Sequence, residues 1–123
     1  MDKDRSANAN HTTKPRATIS DKTLRPFFFG IVGWFVLHTL FWGAIELIAK
    51  QMGPAGILLV PVVFVPAPAN IITVVLLLIR PAGRSTALGV LSAFVINSLG
   101  IFFVAPDENL LLRIFVMRPF FLN

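Results

Sequence analysis

Twenty-three consecutive residues, Ile57–Ile79, carry no charge and contain three prolines, Pro61, Pro66 and Pro68. At about 1.5 Å per residue such a helix would reach roughly 35 Å, enough for a bilayer core of about 30 Å. The run is apolar on all sides, which suits lipid or a fully packed interior. Proline removes a backbone donor and crowds the preceding turn. Regular helical pairing would therefore orphan the carbonyls of Ile57, Val62 and Phe64. In hydrocarbon each orphan costs several kcal/mol, so the segment is not a plain lipid-facing rod. The expectation is a helix bent or unwound around Val65–Asn70. It serves either as a kinked packing helix or as a discontinuous helix that builds a binding site.

Two further apolar runs flank it. Phe27–Ala49 follows Pro26, placed where a first helical turn tolerates it. Thr86–Val104, at 19 residues, is just long enough to cross. The fold class expected is an all-α membrane protein with three transmembrane helices over 27–49, 57–79 and 86–104, the middle one proline-kinked or broken. These spans form one domain over 26–105. Residues 1–25 are polar and basic and read as a disordered cytoplasmic tail. Residues 106–123 are too short to cross and read as an interfacial or partner-docking tail. Lys50–Gly56 and Arg80–Arg84 read as turns, as does Ala105–Asn109, with a helix cap at Asp107.

The chain carries 11 Lys and Arg against 6 Asp and Glu, a net charge of +5. With so much apolar sequence, the basic residues point to anionic lipid and not to nucleic acid. Three crossings with the N-terminus inside leave eight basic residues inside and three outside, as the positive-inside rule prefers. A re-entrant hairpin through Pro66–Asn70 would give six against five. The location expected is a bacterial plasma membrane, with the N-terminus cytoplasmic and the C-terminus opposite.

No cysteine is present, which excludes disulfides and thiolate chemistry. No phosphate-binding loop, metalloprotease motif or catalytic triad occurs, and the chain does not read as an enzyme. His11 in the tail has no companion ligand. One constellation stands out. His38 is central in the first span, Asn70 lies near the centre of the second and Asn97 near that of the third. Run antiparallel, they fall at one depth, with Glu46 two turns beyond His38. Polar groups in a bilayer core tend to face the bundle interior. Asn70, Asn97 and His38 are expected to donate to the carbonyls that the prolines orphan.

Three readings follow. The layer is structural glue for the bundle or for a partner subunit; or it passes a proton, cation or small solute in an oligomer; or neutral His38, between Trp34 and Trp42, ligates a pigment or haem. The first makes the protein a non-catalytic accessory or assembly subunit, with no cofactor, that associates with other membrane subunits or with itself. Ser85, Gly89, Ala93 and Asn97, followed by Gly100, set a stripe of small residues along the third span. This is a packing seam for a neighbouring helix.

Overall fold

The computed structural model describes residues 21–104 and 109–122, which are helical apart from short turns and an irregular stretch over 117–122. Expectations for residues 1–20, including His11, and for the Asp107 cap lie outside the described residues. Helix α1 is Asp21–Met52, followed by a 3-10 segment Gly53–Leu59. Then come α2, Val60–Val63, and α3, Pro66–Ile79. A 3-10 turn, Pro81–Gly83, leads into α4, Arg84–Val104, and α5 is Leu110–Val116. The helical stretches Asp21–Ile79 and Pro81–Val104 both contain apolar windows long enough to cross a membrane.

The first helix begins earlier than expected. Residues 21–25 are its first turn and not part of a polar tail, so Pro26 lies inside the helix. The donor missing at Pro26 is the one that would serve the Lys22 carbonyl, close enough to the helix start for water to take its place. At the other end, α1 runs through Lys50–Met52, and Gly53 stops it with φ +55°. Glycine adopts that left-handed conformation without a Cβ penalty.

The chain reverses at Gly53. His38 and Asn70 are 32 residues apart yet hydrogen-bonded, whereas a straight helix would separate them by roughly 48 Å. Pro54, Pro61 and Pro66 then each fall at the start of a new element, in the first turn of the 3-10 segment, of α2 and of α3, with Pro68 the third residue of α3. There the missing donor would have had no helical partner anyway. The carbonyls expected to be orphaned are reached by tightening the backbone. Val60 N–H donates to the Ile57 carbonyl, and Val65 N–H to the Val62 carbonyl at 3.1 Å.

The break therefore falls at Phe64–Val65, and Pro66–Asn70 is regular helix. This corrects the expected unwinding over Val65–Asn70. It also removes the task given to the two asparagines and the histidine. Local i to i+3 bonds serve two of the three carbonyls, and the side chains donate elsewhere.

The largest contact in the fold joins α1 to α4. The buried residues of α1 are Gly30, Trp34, His38, Trp42 and Ile45, a single stripe at helical spacing. Those of α4 are Ala87, Gly89, Val90, Ala93, Asn97 and Ile101. The two helices run in the same direction. The Ser85 hydroxyl donates to the Thr23 carbonyl at 3.0 Å, while Gly30 and Gly89 meet further along. A Cβ on Gly89 would strike the Phe27 carbonyl, and one on Gly30 the Thr86 carbonyl. Both obstacles are backbone and cannot rotate aside. Beyond the crossing, Trp34 packs on Val90 and Ala93.

Of the residues in the expected small stripe, Ser85, Gly89 and Ala93 thus lie against α1, whereas Asn97 and Gly100 meet the C-terminal residues. A Cβ on Gly100 would come within 2.5 Å of the Phe120 ring. Thr39, Thr73 and Ser98 each donate to the carbonyl four residues earlier, so apolar helices carry these hydroxyls without outside partners.

Gly89→Val is expected to destabilise the fold by about 1–3 kcal/mol through overpacking. Gly43→Val, where an added Cβ meets open space, is expected to stay within about 0.5 kcal/mol. Thermal melting of the two variants in detergent checks the contrast.

Candidate functional site

His38 is 3% exposed and Asn97 1%, the two buried polar residues among the described residues. The helical register of α1 fixes the first contact of His38. Its Nδ1 lies 2.7 Å from the Trp34 carbonyl, one turn back. A carbonyl only accepts, so Nδ1 carries the hydrogen. Nε2 is then a lone-pair acceptor, and the Asn70 amide nitrogen stands 2.9 Å from it. The pattern is that of the neutral imidazole with its proton on Nδ1. The Trp34 indole stacks on the ring, with centroids 3.9 Å apart and planes 21° apart.

Asn70 is delivered by the first full turn of α3. Besides His38, its Nδ2 reaches the Pro66 carbonyl at 2.7 Å and the Met117 sulfur at 3.1 Å. Two hydrogens thus face three acceptors. The sulfur is the weakest of these, so the amide divides chiefly between the helix and His38.

Asn97 bonds elsewhere than to that pair. It clasps the C-terminal residues instead. Its Nδ2 donates to the Arg118 carbonyl at 3.0 Å, and its Oδ1 accepts from the Phe120 N–H at 2.8 Å. A side-chain amide thereby pairs with main chain as a neighbouring strand would. Met117 makes this approach possible by ending α5 in the left-handed region, φ 56°. Arg118 completes the arrangement by pairing with Glu46 of α1, its guanidinium carbon 5.5 Å from the centre of the Trp42 ring.

His38 and Asn70 therefore meet directly, while Asn97 and Glu46 join them only through Met117–Phe120. The segment expected at the interface or on a partner packs on its own chain, with Val116 and Pro119 buried. Met117, Arg118 and Phe120 are the residues that sequence reasoning missed. One signal was available: an arginine in an apolar tail needs an acid, and Glu46 is the acid at the nearer end of the first span.

Haem or pigment ligation needs a free nitrogen on His38. Both are hydrogen-bonded here and one face is covered by Trp34. Among the described residues no group of three or more His, Asp or Glu side chains could hold a metal ion.

Two grooves adjoin the polar pair. One of about 330 Å³ lies between α1 and α3 and includes His38, Asn70, Thr73 and Thr86. The other, about 830 Å³, lies between α3, α4 and α5 and is walled almost wholly by aliphatic and aromatic side chains.

No protein-family model matches the chain, and neither a curated protein nor a solved structure matches it. The functional reading therefore starts from these residues.

Asn97→Ala removes both bonds to the C-terminal residues. At roughly 0.6–1 kcal/mol per interhelical bond, a loss of about 1–2 kcal/mol is expected. Cleavage after Phe120 by chymotrypsin should accelerate before the bundle melts, as limited proteolysis would show.

Proposed function

We propose that the chain is an integral membrane protein that crosses three times, with its N-terminus cytoplasmic, and acts as a non-catalytic accessory or assembly subunit of a larger membrane complex. One observation carries this reading: the buried polar residues His38 and Asn97 are engaged with other side chains and with backbone, while the outward surface is apolar. His38 uses both ring nitrogens within the fold, and Asn97 uses both its donor and its acceptor end. A group that must bind, release or shuttle something needs an end left open. Structural glue does not.

The outward surface supports the membrane medium. Phe29, Leu40, Ile79, Phe103 and Leu111 are each more than 60% exposed, far beyond the scattered apolar residues of a water-soluble surface. Three successive legs of alternating direction support the reading of three crossings. α1 leads one way, the residues from Gly53 to Ile79 return, and α4 runs parallel to α1. The basic residues at the Arg80–Arg84 turn then share a side with the N-terminus, which supports the cytoplasmic placement. Passage of a proton or solute is the weaker reading, because it requires His38 to part from Trp34 or Asn70.

Single cysteines placed at Lys50 and at Arg84 in the cysteine-free chain test the crossings. An impermeant thiol reagent is expected to label them from opposite sides of sealed vesicles. Labelling from the same side would overturn three crossings. Gentle-detergent extraction of the tagged full chain, followed by mass spectrometry, is expected to recover a stoichiometric membrane subunit. A chain that stays monomeric after such extraction would overturn the accessory role.

A further inference from the structure

The two grooves beside the polar pair differ in what they offer. The one between α3, α4 and α5 has walls that are almost wholly apolar, whereas the one between α1 and α3 carries His38, Asn70, Thr73 and Thr86. There α1 and α3 stand apart and are tied across the gap by the Asn70–His38 bond. Asn70 brings an open end to this groove. Its three partners, His38 Nε2, the Pro66 carbonyl and the Met117 sulfur, are all acceptors gathered on the amide nitrogen, which fixes the orientation of the carboxamide. Among the described residues nothing donates to Asn70 Oδ1, and that oxygen is not sealed within the fold. Asn97, by contrast, has both ends met. An acceptor at this depth without a donor costs free energy.

We propose that the α1–α3 groove binds a neutral phenol or hydroquinone with an apolar tail, its hydroxyl donating to Asn70 Oδ1. The inference rests on the membrane reading above. The open oxygen selects a ligand that carries a donor. The walls hold no Lys, Arg, Asp or Glu, so a charged ligand would enter without a counter-charge, and the ligand is neutral.

Shape selects a slender molecule. The groove follows α1 from Phe41 back to Phe29, roughly 18 Å of helix. A volume of about 330 Å³ over that length leaves a slot much narrower than a helix about 10 Å across. A transmembrane helix of another subunit does not fit it. Trp34 and Phe41, one turn either side of His38, make the wall aromatic at the depth of Asn70, which suits a flat ring. From there Gly33, Leu37 and Leu77 lead to Phe29, an apolar path for a tail. Depth selects a molecule dissolved in the bilayer core. His38 is midway along its apolar run, so its partner Asn70 lies near the midplane, about 15 Å from either surface of the core. Phospholipid headgroups do not reach that depth, and a neutral phenol does.

The test titrates the full chain in nanodiscs with para-hexylphenol by calorimetry, with empty nanodiscs as the reference. Hexylbenzene, which has the same ring and tail without the hydroxyl, is compared at equal concentration in the bilayer. Equimolar, saturable binding of the phenol is expected, about threefold to tenfold tighter than that of hexylbenzene. Gly33 lines the groove, and a Cβ added there meets open space. Gly33→Leu should therefore fill the slot and abolish the binding while thermal melting stays in place. If Gly33→Leu fails to melt cooperatively, the two probes on the unaltered chain alone decide. Equal affinity for the two probes, or binding unchanged in a folded Gly33→Leu, overturns the site. A chain that stays dispersed in buffer without nanodiscs overturns the membrane reading and this site together. A chain held in the nanodisc that shows no saturable uptake of the phenol overturns the site alone.

Discussion

The hydrogen bond from Asn70 to His38 joins the two halves of the chain that the prolines pull apart. An imidazole enclosed by apolar helices has no water to satisfy it, so both nitrogens must find partners in the protein. The Trp34 carbonyl, always one turn away, settles the tautomer. That leaves a single acceptor facing the second leg, and the amide that meets it must come from a fixed height. Pro66 sets that height. By starting α3 where it does, it places Asn70 one turn into a regular helix, with the Pro66 carbonyl as second partner. Had the backbone stayed loose through Asn70, the amide would have no fixed direction.

Magnitudes explain why so many small contacts are needed. Between helices in lipid there is no hydrophobic drive, since acyl chains are as apolar as leucine. Association falls to close packing and to hydrogen bonds that average about 0.6 kcal/mol each. No single bond here, His38–Asn70 included, outweighs the others. The glycine crossing therefore carries the α1–α4 pair, letting backbones meet over Gly30 and Gly89. The polar contacts then fix which way the remaining pieces lie. Asn97 matters beyond its size because it makes two such bonds to a segment with few other holds.

Much of this was legible in the residues. Glycines and alanines at four-residue spacing announce a close seam, and polar side chains near the middle of the first two apolar runs announce the meeting of His38 and Asn70. The break in the middle leg was legible in kind but not in place. The i to i−4 rule identifies which carbonyls proline orphans, yet the backbone had a cheaper remedy than a side-chain donor. It tightened to 3-10 geometry and moved the break to Phe64–Val65. The C-terminal segment was not legible from length alone. A thirteen-residue tail that is apolar but for two arginines and cannot cross looks interfacial, and the pairing of Arg118 with Glu46, 72 positions apart in sequence, together with the Asn97 bonds, shows where it belongs.

The same accounting explains the position of Arg118. A guanidinium near apolar helices is tolerated when its charge is met and its stem is packed. Glu46 meets the charge and the Trp42 face takes the guanidinium plane, while Asn97 secures the main chain on which the side chain stands. These contacts engage the tip of the guanidinium and leave its Nε–H without an acceptor. Trp42, covered by Arg118 and by α5, has its own N–H in the same condition. In water two such donors would be trivial. Within an apolar interior each such donor costs free energy until an acceptor reaches it.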